Sequence, residues 1–259
     1  MPPYRRVLIT KVGETPMHGM ADLAEDDRGF LWLGGAHGLY RYDGVSLEVF
    51  TNRPDDTASI VPGPYVQMKN SRHGAGLWLG SNTGGLSFFD LRTEMAHNYV
   101  ADPANVTALA GNEIAGFHED PDGGLWVGTN QFTLHYLAPV KKPGQSRSFR
   151  RYQPESLPDG SADFTAAGAL GEIVPDTKDP DILWVGSRYG VYRFDRNDYS
   201  FRLFPFQQRV VYWYRPMNLQ MFIDPEGFIW CGGFATGLHR LDPKAGTWKI
   251  IKKHDQDGS

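Results

Sequence analysis

The sequence predicts an all-β fold made by repeating one four-stranded antiparallel unit, and three observations carry that prediction. A Leu/Ile-Trp-x-Gly anchor recurs five times, at Trp32, Trp78, Trp126, Trp184 and Trp230. The intervals between these tryptophans are 46, 48, 58 and 46 residues, and a near-constant period in that range marks an array of one supersecondary unit. Around each anchor the chain reads as four short strand-like segments between Asp-, Pro- and Gly-rich turns, with no long amphipathic helical pattern. Such a unit is the sequence form of a β-propeller blade. Five blades are present, and the reading takes them as part of a larger propeller.

Each unit opens with an apolar run, as in Met20–Ala24, Ile114–Phe117 and Leu219–Ile223. Asp26–Gly29, Asp120–Gly123 and Asp224–Gly227 follow, with the Asp-first, Gly-fourth chemistry of a type I turn. The Trp strand is second. After a short turn such as Ser81–Gly84, a third strand alternates Leu39, Arg41 and Asp43 with Tyr40 and Tyr42, the two-residue period of a strand. The fourth strands are Leu47–Thr51, Ala96–Val100, Phe149–Tyr152, Phe201–Phe204 and Trp248–Ile251. Burying one indole is worth roughly 4–6 kcal/mol gross as an upper bound. A blade cannot cover both its faces alone, so the five tryptophans read as structural inter-blade core.

In chain order, residues 1–13 hold a closing strand, Arg6–Lys11, and the blades span about 14–52, 53–100, 101–153, 154–204 and 205–252. The ten extra residues between Trp126 and Trp184 fall in Pro139–Ser148 and Pro154–Ala162, which read as surface loops. Blade 3 is the least regular, because Gln131-Phe132-Thr133 replaces the turn glycine. Residues 253–259 resemble the inter-blade linkers and read as the start of a link to a further blade. Blade 5 already owns a fourth strand, so Arg6–Lys11 has no three-stranded blade to complete. On this reading the chain is a fragment whose blades 1 and 5 expose apolar faces or meet in a strained ring.

Composition narrows the function. A net charge of −4 without any Lys/Arg-rich run argues against a nucleic-acid partner. With Cys231 as the only cysteine, no intrachain disulfide can form. The sequence shows no signal-peptide-like stretch and no segment approaching 18 apolar residues, so membrane contact by this segment is not expected.

Gly29-Phe30-Leu31-Trp32-Leu33-Gly34 with Gly38-Leu39-Tyr40-Arg41-Tyr42-Asp43-Gly44 resembles the two-component regulator propeller repeat. So do Glu119-Asp120 with Gly124–Thr129, and Leu183–Gly186 with Gly190–Asp195. The likeness is strongest in blades 1 and 4 and weakest in blade 3. It implies a periplasmic or extracellular sensor region of a histidine kinase or diguanylate cyclase receptor, taking a small extracellular ligand such as an oligosaccharide and dimerising through the parent receptor. The repeat carries no catalytic residue, so the chain itself is expected not to be an enzyme.

Enzymatic alternatives find little support. The eight histidines form no His-x-His or His-x-x-x-His pair, and no nucleophile elbow, phosphate loop or dinucleotide fingerprint occurs. No metal or cofactor is implied. The acidic residues mostly recur once per blade (Asp43, Asp90, Asp195 and Asp242 end the third strand), which marks turn chemistry. A carbohydrate-active propeller enzyme, a glycoside hydrolase or lyase, is the alternative. It would have to use Asp22, Glu113 or Glu172 on the innermost strands, with two or more carboxylates gathered near the channel.

A ligand site is expected where strand-one entries and strand-two-to-three turns share a face. There blade 5 offers Trp213, Tyr214 and Arg215, with Phe234, and blade 4 offers Arg188 and Tyr189. His37, Asn82 and Asn130 occupy the corresponding turns of blades 1 to 3. Aromatic faces with Arg and Asn suit a sugar. The competing reading has Trp213 and its neighbours cap the core between blades 4 and 5.

Overall fold

A computed structural model describes residues 20–73, 75–102, 104–140, 147–158, 160–161, 164, 167–206, 220–233 and 237–251. Twenty strands form five four-stranded antiparallel sheets, each in simple sequential order. Blade 1 is β1 (Asp22–Glu25), β2 (Leu31–Gly34), β3 (Leu39–Tyr42) and β4 (Leu47–Phe50). Blade 2 is β5 (Tyr65–Asn70), β6 (Gly76–Ser81), β7 (Leu86–Asp90) and β8 (Met95–Tyr99). Blade 3 is β9 (Ile114–Glu119), β10 (Leu125–Thr129), β11 (Thr133–Leu137) and β12 (Phe149–Tyr152). Blade 4 is β13 (Leu170–Pro175), β14 (Ile182–Ser187), β15 (Gly190–Asp195) and β16 (Phe201–Pro205). Blade 5 is β17 (Gln220–Ile223), β18 (Ile229–Gly233), β19 (Gly237–Asp242) and β20 (Thr247–Ile251).

Successive first strands lie against one another, β1 on β5, β5 on β9, β9 on β13 and β13 on β17. They are therefore innermost, and the Trp strand is second. The glycine of the anchor motif is explained by this approach. A Cβ at Gly128 would sit 2.0 Å from the Leu170 carbonyl oxygen of blade 4, and one at Gly80 2.9 Å from Ile114 of blade 3. At Gly232 the nearest atom is 3.8 Å away and belongs to Leu238 of the same blade.

Four hydrophobic clusters join neighbouring blades, each with the Trp of the earlier blade facing the later one. Trp32 packs with Leu77, Leu79 and Phe89, and Trp78 with Ile114, Phe117 and Val127. Trp126 packs with Leu183 and Phe194, and Trp184 with Met221, Ile229 and Leu241. These four indoles are buried; Trp230, on the outward face of blade 5, is only partly so. Phe222 stacks on Trp230 at 6.0 Å and remains 55% exposed, while Leu23 on the opposite terminal face, in blade 1, is 58% exposed. No hydrophobic cluster among the described residues joins blade 5 to blade 1. The Arg6–Lys11 segment lies outside the described residues.

In four of the five blades an aspartate does more than turn the chain. Asp26 Oδ1 accepts the Arg28 and Phe30 amides while Oδ2 accepts the Trp32 indole N–H at 3.1 Å. The same indole bond joins Trp126 to Asp120 (2.8 Å), Trp184 to Asp176 (2.8 Å) and Trp230 to Asp224 (2.7 Å). Blade 2 lacks the aspartate, and Trp78 Nε1 instead donates across the interface to Glu119 of blade 3 at 3.3 Å. Glu119 also holds the blade 2 turn, accepting from Ser71 Oγ and the Arg72 amide.

One expectation needs correction. The stretch 154–162 is not simply a surface excursion: Leu157 is 6% exposed and belongs to the blade 3–4 core, because the longer loop folds back over that cluster. The irregular turn of blade 3 is packed from within. Phe132 takes the left-handed conformation (φ 52°), and its ring is fully buried against Phe164, Tyr189 and Tyr192. Burial offsets a backbone cost of about 1–2 kcal/mol.

Candidate functional site

Two regions could carry function: the innermost strands, and the turns between second and third strands. On the innermost strands Gln67 Oε1 accepts the Phe117 amide at 2.7 Å, and its Nε2 donates to Glu172 Oε2 at 3.3 Å. Lys69 Nζ donates to the Phe117 carbonyl at 3.0 Å and lies 4.0 Å from Glu172 Oε1. Polar side chains of blade 2 thus reach past blade 3 to blade 4.

Burial pushes the Glu172 carboxyl above its usual range; Lys69 opposes that rise and the Asp22 charge adds to it. Asp22 is spent on backbone, its two oxygens accepting the Leu23 amide (2.8 Å) and the Met68 amide of blade 2 (2.7 Å). Glu113 contributes its carbonyl to the Asn130 amide at 3.1 Å. An inverting or retaining hydrolase needs one carboxylate ready to protonate a leaving group and a second free to attack or to activate water. Here Asp22 ties blade 1 to blade 2 and Glu172 ties blade 4 to blade 2, so the arrangement acts as a set of struts.

The turn face is different. Asn82 follows β6, Asn130 follows β10, and Arg188 with Tyr189 follows β14, all at equivalent positions of successive blades. Ser81 Oγ organises the blade 2 turn, donating to the Pro62 carbonyl at 2.6 Å and accepting the Thr83 and Gly84 amides. Ser187 does the same in blade 4, donating to the Gly190 carbonyl and accepting the Tyr189 amide. Among the described residues Asn82 Oδ1, Thr129 Oγ1 and Asn130 Oδ1 are shielded from solvent and have no hydrogen-bond partner. A buried polar atom left so costs about 1–3 kcal/mol.

Of the residues expected at this site, Arg188 lies over the Tyr189 ring at 5.4 Å. Tyr189 is partly a core residue, meeting Phe132 edge-on at 5.8 Å, so it joins blade 4 to blade 3 as well as bordering the face. His37 is exposed on the blade 1 turn. Trp213, Tyr214, Arg215 and Phe234 lie outside the described residues.

Sequence reasoning missed a recurrent guanidinium over the Trp ring. Arg41 covers Trp32 at 5.5 Å and Arg240 covers Trp230 at 5.7 Å, each from the third strand of its own blade. In blades 2 and 3 that register position holds Phe88 and Tyr136, and the next elements supply the cation: Arg147 over Trp78 (5.8 Å) and Arg196 over Trp126 (5.3 Å). Arg41 was visible in the strand alternation. Arg196, 76 residues from Asp120, left no local signal.

Residues 108–131 match the family model described as two component regulator propeller. That stretch covers the first two strands and Asp turn of blade 3, where the sequence likeness looks weakest; the irregularity of this blade begins only at Gln131-Phe132. No curated protein matches the sequence. Among solved structures, the extracellular domain of a hybrid two component system from B. thetaiotaomicron shares 18% identity at a TM-score of 0.74, covering 95% of this chain and 31% of that one. A second such extracellular domain from the same organism shares 20% identity at a TM-score of 0.68, over 95% and 32% of the two chains. PorZ, a surface component of the type-IX secretion system of Porphyromonas gingivalis, shares 17% identity at a TM-score of 0.59, over 88% and 33%. The chain spans about a third of the length of each of these solved structures. Residues 108–131 carry the two component regulator propeller repeat, and the chain has the all-β propeller fold seen in these extracellular domains.

Proposed function

We propose that this chain is the ligand-sensing module of a bacterial signal-transduction receptor, placed in the periplasm or outside the cell, and that it binds a small carbohydrate at the face carrying Asn82, Asn130, Arg188 and Tyr189. The observation that supports this reading best is the unpartnered set Asn82 Oδ1, Thr129 Oγ1 and Asn130 Oδ1. Two asparagines are folded inward at a cost, and turning outward lets each amide exchange hydrogen bonds with ligand hydroxyls. Such a ligand favours the outward state by its differential interaction with the two states, which is what a sensor requires. Arg188 and the Tyr189 ring add a donor and an apolar flank.

The test is calorimetric titration of the chain with neutral xylan, β-glucan, mannan and galactan oligosaccharides, alongside Asn82→Ala/Asn130→Ala. The double variant removes two unsatisfied acceptors at about 1–3 kcal/mol each, so it is expected to be more stable by roughly 2–6 kcal/mol yet to lose this binding. A variant that is less stable, or that binds as the parent does, contradicts the reading.

A further inference from the structure

The end of the blades opposite those turns carries the turns between first and second strands and the hairpins between third and fourth. On it, a cleft of about 560 Å³ opens between blades 3 and 4. One wall is a run of rings. Trp126 has Tyr136 at 4.6 Å and Tyr152 at 5.8 Å, and Tyr152 in turn stacks on Tyr199 at 4.9 Å with an interplanar angle of 29°. The polar side is the Asp120–Arg196 pair, two near-parallel bonds of 3.0 and 2.8 Å, with His118 Nε2 3.5 Å from the same carboxylate. Acid and guanidinium balance, so this pair attracts neither anion nor cation strongly; the Asp120 oxygens are taken by Arg196, Trp126 and His118, and the open polar groups of the cleft are the outer N–H groups of Arg196 and the exposed Asp122.

Tyr199 is the ring that packing explains only in part. It sits four residues after Asp195 in the β15–β16 hairpin, in the left-handed conformation (φ 61°). The equivalent residues of blades 2 and 5 are Glu94 (φ 59°) and Gly246 (φ 67°). Blade 5 uses glycine, which adopts this conformation freely; blade 2 uses a glutamate whose carboxylate bridges to Arg41 of blade 1 at 2.7 Å. In blade 4 that position holds a large ring that is 48% exposed and stacked on Tyr152, so its half-burial roughly offsets the backbone cost and leaves one face open. What the ring supplies is a flat surface standing over the cleft.

We propose that this cleft is a second binding site, for an uncharged sugar ring that lays its C–H face on the half-exposed Tyr199 ring, which Tyr152 backs, and hydrogen-bonds through its hydroxyls to the outer N–H groups of Arg196 and to the Asp122 carboxylate on the cleft wall. It is distinct from the Asn82/Asn130 face and does not depend on it. An aromatic platform beside a charge-neutral donor–acceptor pair is the chemistry that recognises a ring with one apolar face and an equatorial rim of hydroxyls. A charged ligand would have to compete with the internal ion pair for either partner.

The same neutral xylan, β-glucan, mannan and galactan oligosaccharides are the probes, titrated into the parent chain, Tyr199→Gly, Tyr199→Phe and the Asn82→Ala/Asn130→Ala double variant. Tyr199→Gly relieves the left-handed strain, so its unfolding midpoint is expected to equal or exceed the parent's while binding at this site weakens about five- to tenfold. Tyr199→Phe keeps the flat ring and is expected to bind within about twofold of the parent. Sugar binding that survives in the asparagine double variant and is lost in Tyr199→Gly belongs to this cleft. The proposal is overturned if no oligosaccharide saturates at millimolar concentration, if Tyr199→Gly binds like the parent, or if Tyr199→Gly is less stable than the parent, which would make the ring a structural prop.

Discussion

Replacing Asp120 by alanine tests how the blades are joined. Its carboxylate, 8% exposed, holds the Trp126 indole of its own blade at 2.8 Å and the Arg196 guanidinium of the next blade at 2.8 and 3.0 Å. Alanine leaves an indole N–H and a largely buried guanidinium without their acceptor. Removing one partner of a buried pair costs about 3–5 kcal/mol, and because Arg196 keeps 22% exposure the lower end applies, about 3 kcal/mol. For a chain of this size that lowers the melting temperature by roughly 6–12 °C.

Asp26→Ala is the control. Its cation, Arg28, lies in the same turn and is 45% exposed, so the loss should be nearer about 1–2 kcal/mol. A double-mutant cycle of Asp120→Ala with Arg196→Met in urea should return a coupling above about 1 kcal/mol. The pH dependence has a defined sign. Burial pushes the Asp120 carboxyl up, but bonds from His118, Arg196 and Trp126 outweigh it and hold the group below its usual value of 3.8. Its contribution is therefore complete above pH 3.8 and lost as pH falls through the folded-state value. If Asp120→Ala costs no more than Asp26→Ala and the cycle is additive, the inter-blade clamp is wrong.

His135 is fully buried, with Nε2 accepting the Ala110 amide at 2.9 Å, Nδ1 on the Val127 carbonyl at 3.2 Å, and a pKa pushed down to about 4 by burial. Its stabilising contribution is present above pH 6.5 and lost as pH falls toward about 4, so urea midpoints should decline over that window in the parent and much less in His135→Gln. Trp32→Ala, which empties a fully buried site, should cost about 3–5 kcal/mol, whereas Trp230→Ala should cost roughly half as much; equal losses by chemical denaturation would show that the outward face of blade 5 is covered. Glu172→Gln keeps a hydrogen bond to Gln67 and removes a charge that burial disfavours, so the denaturation midpoint at neutral pH should rise; a fall would mean that the Lys69 ion pair outweighs desolvation.

The fold was legible because the anchor motif encodes it twice over. Trp supplies the inter-blade contact, and the glycine two residues on marks where the next blade's inner strand comes within van der Waals distance of the backbone. The Asp–Trp bond was half visible: a six-residue spacing recurs at Asp26–Trp32, Asp120–Trp126 and Asp224–Trp230, but Asp176 opens a turn two residues longer and breaks it. Glu119 serving Trp78 from another blade, and Arg147 and Arg196 replacing a third-strand arginine, are non-local pairings with no periodic signature. Asn82 and Asn130 could be placed on one face by blade register; that their oxygens are shielded and unpartnered depends on packing. Tyr199 carried a faint signal, since aligning the hairpins of blades 4 and 5 sets it opposite Gly246, a position where a large side chain needs a reason.

The most direct test of the central claim, that the strand-two-to-three turns form the sensing face, is amide hydrogen exchange by mass spectrometry. It is done on the parent chain with and without neutral oligosaccharide. The account requires slowed exchange in the turns at residues 81–85, 129–132 and 187–190. Unchanged exchange in those turns with sugar bound would place recognition elsewhere and contradict it.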